Sequence, residues 1–219
     1  IRQACKYGAK LMNYAVKIVK PGISENSVKR AIEAYALKNN LCLANFDIIV
    51  ASGANASMPH AVASERSIKK QEMVTIDLGA MHCGYNSDLT RTVFLGKISH
   101  KYLHIYNIVL ASQSIAIENL KPSAYAKDID AVSRQYISNK GMGRFFLHSL
   151  GHGIGRETHE IPAISQSSTI KLEKGMVVTI EPGIYVPGWG GVRIEDTVLI
   201  TENGCEVLTK GAVKYAGRN

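Results

Sequence analysis

At 219 residues, with 46% hydrophobic and 20% charged, the chain is long enough for a substantial core and ordinary in composition for a globular protein. No apolar run approaches the roughly 20 residues that span a bilayer, and no secretory leader pattern is present, which argues against a membrane partner. The net charge of +8 comes from lysines scattered along helices and turns rather than clustered with aromatics, so it reads as a basic solvated surface and not as a nucleic-acid interface. Cys5, Cys42, Cys83 and Cys205 form no CxxC pair and read as reduced thiols of a cytoplasmic protein.

The chain opens directly in a helical pattern, IRQACKYGAKLMNYAVKIV, with no initiator methionine, which fits the C-terminal portion of a longer protein. A second helix follows in KPGISENSVKRAIEAY (20–35), where Val28, Ile32 and Tyr35 share one face. A strand is expected at FDIIVASG (46–53), then a hairpin of MVTIDLG (73–79) and DLTRTVFLG (88–96) joined by AMHCGYNS. The pattern then repeats. KPSAYAKDIDAVSRQY (121–136) resembles 20–35, with Ile129, Val132 and Tyr136 on one face, and VTIE (178–181) matches VTID (74–77). Pro21 and Pro122 fall between helices, where a missing backbone donor is tolerated. A strand is expected near RFFLHSL (144–150), and a second hairpin over 176–185 and 191–201. The fold class is α+β, with pseudo-symmetric halves of about 1–97 and 98–219 and antiparallel sheets meeting at a shared centre.

Five residues in five short motifs then stand out: Asp77 in VTIDLG, Asp88 in YNSDLTRT, His152 in HSLGHGIG, Glu181 in VTIEPGIY and Glu195 in GVRIEDT. Four carboxylates turned inward are prohibitively costly unless cations neutralise them, so the pattern points to a metal centre. Strand alternation puts Thr75 on the face of Asp77, Thr90 on that of Asp88, Thr179 on that of Glu181 and Thr197 on that of Glu195. If Asp77 faces Asp88 and Glu181 faces Glu195 across the hairpins, the four carboxylates converge, with threonine hydroxyls as natural orienting donors.

These motifs resemble those of the pita-bread metallopeptidases, over essentially the whole chain. SGANASMPHA (52–61), HSLGHGIGRETHEIP (148–162) and TIEPGIYVPGWGGVRIEDT (179–197) resemble the proline-specific branch, Xaa-Pro dipeptidases and aminopeptidases. The two glutamates, at 181 and 195, lie close together in sequence as in that branch, whereas methionine aminopeptidases have a longer insert. The resemblance implies a catalytic domain over 1–219, without the extra N-terminal domain of full-length members. It implies two divalent ions, with Asp77 on one, Asp88 and Glu195 bridging, and His152 and Glu181 completing the other. Manganese suits such oxygen-rich ligation with one imidazole best, with cobalt, iron or zinc as alternatives. Ions of this kind polarise the scissile carbonyl and hold a bridging hydroxide as nucleophile.

By the same resemblance, His159 donates to the developing oxyanion, His60 sits near the scissile nitrogen, and Glu181 shuttles the proton to the leaving amine. His148 matches a further active-site histidine. Arg193 either holds a metal carboxylate or pairs with the C-terminal carboxylate of the substrate, and Tyr185 is either a pocket wall or a packed tyrosine. The implied substrates are peptides with proline in second position, and a homodimer is compatible with the family. The alternatives are a methionine aminopeptidase and a catalytically silent binding module. His82, His100 and His104 read as hydrated loop histidines, and Trp189 as loop packing.

Overall fold

The computed structural model describes residues 1–214 and 217. The first half contains α1 (Arg2–Ile18), α2 (Glu25–Lys38), β1 (Cys42–Leu43), β2 (Ile49–Ser52), β3 (Met73–Leu78), β4 (Ala80–His82), β5 (Tyr85–Asn86) and β6 (Leu89–Phe94). The second contains α3 (His100–Asn119), α4 (Ala126–Asn139), β7 (Gly151–Gly153), β8 (Glu160–Ile164), β9 (Val177–Ile180), β10 (Gly183–Val186), β11 (Gly190–Arg193), β12 (Asp196–Ile200) and β13 (Cys205–Val207). Helix pair followed by hairpin occurs twice, as the repeat predicts. Ser24 caps α2 by accepting from the Ser27 N–H at 3.1 Å, and Ser99 caps α3 by accepting from the Tyr102 N–H at 3.2 Å. No helix among the described residues is long and apolar enough to cross a membrane.

Each helix pair buries its apolar stripe on a sheet. Leu11, Met12 and Ala15 of α1 and Val28 and Ile32 of α2 pack against Val50, Val74, Ile76 and Leu89 of the sheet ordered β2-β3-β6. Ile105 and Val109 of α3 and Ile129 of α4 pack with Val178, Ile180 and Val198 of the five-stranded sheet β13-β12-β9-β7-β8. At roughly 2 kcal/mol per fully buried branched side chain, these two seams dominate the hydrophobic stabilisation. The sheets meet where β6 runs beside 193–197: the Glu195 N–H donates to the Thr90 carbonyl at 3.1 Å, and Thr92 Oγ1 donates to the Arg193 carbonyl at 3.0 Å.

Three details depart from the sequence reading. The stretch 144–150 is not a strand: a 3₁₀ turn covers Gly143–Phe145, and the strand begins only at Gly151. The AMHCGYNS connection is not a plain loop but holds β4 and β5, which form a small ribbon with β1. His100 and His104 lie on a helix and not in a loop, although both are exposed there.

Candidate metal centre

Register decides which carboxylates meet. In the second hairpin Ile180 pairs with Asp196 and Gly183 with Arg193, so one continuous register sets Glu181 opposite Glu195. In the first, Asp77 pairs with Thr90, not with Asp88. Asp88 stands just before β6, two residues from Thr90 and on the same face, so the two aspartates meet diagonally. His152 comes from β7, where glycine is required on both sides. A Cβ on Gly151 would sit 1.9 Å from the Thr179 carbonyl oxygen, and one on Gly153 would sit 2.4 Å from that of Ile161.

All five lie along one cleft of about 490 Å³, together with His60, His148, His159 and Arg193. Ligand atoms of Asp88, His152 and Glu195 lie within 4.8 Å of one another. His152 Nδ1 stands 3.0 Å from the Gly153 carbonyl oxygen, which can only accept, so the proton is on Nδ1. The Nε2 lone pair then faces Glu181 Oε1 at 3.4 Å and Asp88 Oδ2 at 3.9 Å. Asp77 Oδ1 and Asp88 Oδ1 are buried without a hydrogen-bond partner. Acceptors converging on one another with orphaned oxygens are the donor set a divalent cation satisfies.

Electrostatics agree. Burial, then the charges of Glu195 and Asp77, holds Asp88 well above the usual carboxylate range. Burial pushes Glu181 up to about 8 against the opposing pull of Arg193, and burial followed by Glu181 and Asp77 raises Glu195. Four carboxylates with a single bonded guanidinium carry a surplus of negative charge that bound divalent ions remove. Burial pushes His148 down to about 4, with Arg193 adding to the effect, and also lowers His152.

Around the donors the hydroxyls divide their work. Thr90 Oγ1 donates to Glu195 Oε2 at 2.7 Å, and Thr179 Oγ1 donates to Glu181 Oε1 at 3.3 Å. Thr197 instead grips the Asp88 backbone, donating to its carbonyl at 2.7 Å and accepting from its N–H at 3.3 Å. Thr75 touches no carboxylate: its hydroxyl meets that of Thr92 at 2.9 Å.

Arg193 commits four of its five N–H donors internally, Nη2 to Asp77 Oδ2 at 2.7 Å, Nε to Thr90 Oγ1 at 3.1 Å, and Nη1 to the Tyr185 hydroxyl at 2.9 Å and the Pro59 carbonyl at 3.0 Å. The Nη2 bond ties it to Asp77, one of the five candidate metal ligands. Tyr185 is only 1% exposed and does not wall the cleft. Its hydroxyl accepts from Arg193, so its own proton goes to His148 Nε2 at 2.8 Å, leaving His148 Nδ1–H to donate to the Ser149 carbonyl at 2.7 Å. His148 is thereby a neutral ring with both nitrogens engaged. His159 stacks obliquely beside His152, ring centroids 4.3 Å apart, and His60 is an exposed member of the cleft lining. Trp189 packs under Lys101, 4.5 Å from ring centroid to amine, and does not line the cleft.

Several supporting residues escaped the sequence reading. Arg91, 1% exposed, donates to the carbonyls of Thr90 and Glu195 and pairs with Asp196 at 2.8 Å, fixing the strand segment that presents Glu195. Asp130 and Arg134 of α4 bond each other, and they hold the Leu150 N–H and the carbonyls of Phe146 and His148. The available signal was a charged residue at a position otherwise reserved for the apolar face.

Such a fold, with a carboxylate-rich donor cluster where its two sheets meet, is that of the pita-bread class. The chain belongs to metallopeptidase family M24, which it matches over residues 1–202. It is 47% identical over 210 residues to the Xaa-Pro dipeptidase of Pyrococcus furiosus, a match covering 96% of this chain and 60% of that protein. Its structure resembles the Xaa-Pro dipeptidase from Bacillus anthracis with a TM-score of 0.95 at 43% identity, covering 99% of this chain and 61% of that one. It also resembles the X-Pro aminopeptidase from Thermotoga maritima MSB8 with a TM-score of 0.94 at 37% identity, covering 100% and 62% of the respective chains. The chain thus spans about 60% of the length of the curated relatives it matches.

Proposed function

We propose that this chain carries the hydrolytic centre of a metal-dependent exopeptidase that removes an N-terminal residue from in front of proline. The observation that supports it most is the joining, in one cleft, of the five-residue donor cluster with His60, His148 and His159. Asp77, Asp88, His152, Glu181 and Glu195 would hold two divalent ions, manganese fitting the oxygen-rich set with one imidazole best. When bound, such ions polarise the scissile carbonyl and activate the attacking water.

The remaining work falls to side chains. Glu181, half-buried and held to Thr179, takes a proton and passes it to the leaving amine. His159, next to His152, donates to the carbonyl oxygen as it gains charge, and His60 contacts the leaving side of the peptide. Phe46, Ile48, Ile49 and Val62 supply an apolar wall on which a proline ring can be buried. Arg193, Tyr185 and His148 act as a positioning chain behind the centre, since they bond one another in series and the chain ends on Asp77. With four of its five N–H groups engaged inside the protein, Arg193 is better suited to holding Asp77 than to recognising a C-terminal carboxylate. The separated thiols suit a cytoplasmic setting.

The test is hydrolysis of Ala-Pro, Ala-Pro-Ala and an N-terminally blocked Ala-Pro-Ala by manganese-loaded protein. Cleavage before proline in the free peptides and not in the blocked one is expected. Equal cleavage of the blocked peptide contradicts an exopeptidase, and preference for Met-Ala-Ser indicates a methionine aminopeptidase.

A further inference from the structure

Glu25 opens α2 with none of its surface exposed, an uncommon place for a carboxylate. Oε1 accepts from the backbone N–H and the hydroxyl of Ser52, each at 2.7 Å. Oε2 accepts from the N–H of Ser64 at 3.1 Å and its hydroxyl at 2.6 Å. Asn55 Nδ2 sits between, 3.2 Å from one oxygen and 3.1 Å from the other. Ser52 and Ser64 are the two ends of one excursion of the chain, so a single carboxylate ties its base together. The backbone repeats the tie, with the Glu25 N–H on the Arg66 carbonyl at 3.1 Å and the Asn26 N–H on that of Ser64 at 2.9 Å. Arg66 forks onto Glu72 at 2.8 and 2.7 Å and also reaches the Ser52 hydroxyl, bracing the same end. The positive end of the α2 dipole and the charge-assisted bonds offset the cost of burying the charge.

This excursion bears on the chemistry at its far side. Pro59 gives its carbonyl to Arg193, which holds Asp77, and His60 follows in the cleft. Neither residue has a strand of its own to fix it; the described strands resume only at Met73.

We propose that Glu25 is a positioning residue for the reaction: through Ser52, Asn55 and Ser64 it holds the 52–64 loop so that His60 stands in the cleft and Pro59 meets Arg193. The proposal rests on the exopeptidase reading above. A glutamine at position 25 offers one acceptor oxygen where two are needed and turns an amide donor toward Ser52 or Ser64, which are donors themselves.

The test is a double-mutant cycle on manganese-loaded full chain with Ala-Pro, comparing Glu25→Gln, His60→Ala and the pair, alongside hydrogen exchange of each. Glu25→Gln is expected to lower kcat/KM at least tenfold, to cost little further in the His60→Ala background, and to speed exchange within 52–66 alone. Glu25→Asp and Ser64→Ala, which keep part of the tie, are expected to fall between, and they take the place of Glu25→Gln if that variant does not fold. Wild-type kcat/KM in the variants, a loss of equal size in both backgrounds, or faster exchange spread over both halves overturns the proposal. An inactive wild-type chain would instead contradict the exopeptidase reading, and exchange confined to 52–66 would still decide the role of Glu25 in holding the loop.

Discussion

Arg193 and Asp77 meet at 2.7 Å between a strand of each half, with side chains 4% and 14% exposed. Register brings them together: Arg193 closes β11 against Gly183, and Asp77 sits in β3 against Thr90, which accepts from Arg193 in turn. Removing the guanidinium with Arg193→Met leaves the carboxylate without its partner. A loss of roughly 3–5 kcal/mol is expected for metal-free protein, read by urea denaturation. Arg193→Lys keeps the charge but cannot reach four acceptors from one ammonium, and weaker manganese binding is expected by calorimetry.

Thr90 and Thr75 make a matched pair for the hydroxyl argument. Thr90 donates to Glu195, whereas Thr75 reaches only Thr92. Thr90→Val is expected to weaken metal binding about 10–100-fold. Thr75→Val is expected to leave affinity unchanged while costing about 1 kcal/mol of stability. Metal titration of both variants with melting curves separates the two effects, and equal affinity losses would contradict the assignment.

The metal-free protein should lose stability as pH rises from about 6.5 to about 8. Glu181 is pushed up to about 8 from an ordinary 4.5, so across that interval the folded protein holds a proton the unfolded chain has released. The contribution is intact below the unfolded value and is gone above the folded one. Asp88 and Glu195, also raised, act in the same sense. His148, pushed down to about 4 from 6.5, acts oppositely but only below pH 6.5, outside the window. Melting temperature against pH, with and without manganese, checks this: a falling curve for metal-free protein and a flatter one for loaded protein are expected.

Tyr185→Phe deletes a hydroxyl that accepts from Arg193 and donates to His148. Burial pushes that hydroxyl up to about 12, so it acts as a neutral donor throughout the working range. A cost of about 1–2 kcal/mol in stability is expected, together with a drop in kcat/KM for Ala-Pro as His148 loses its fixed orientation. An unchanged kcat/KM would remove His148 and Tyr185 from the positioning chain.

What could be read from the sequence was periodic or chemically costly. The apolar stripes of α1, α2 and α4 and the β-branched runs of both hairpins follow from local preference, and Asp77, Asp88, Glu181 and Glu195 stand out because inward carboxylates demand a cation. Pairing register was legible in the second hairpin, where Glu181 opposes Glu195, and not in the first: Asp77 opposes Thr90 because that hairpin turns through β4 and β5, whose geometry rests on Cys83 and Gly84 at φ 50° and 78°. The short β8 beyond His159 was missed as well, because EIPAI alternates too briefly to signal a strand. Nothing local in the sequence singled out Glu25, Arg91 and Asp130, since partners that fix their roles lie from 20 to over 100 residues away.

Anomalous diffraction at the manganese edge, from crystals of metal-loaded protein, tests the donor cluster most directly. Two peaks about 3.5–4 Å apart, both within coordinating reach of Asp88 and Glu195, with Asp77 on one and His152 and Glu181 on the other, are the expected result. Peaks lying elsewhere, or none beside these five side chains, would contradict it.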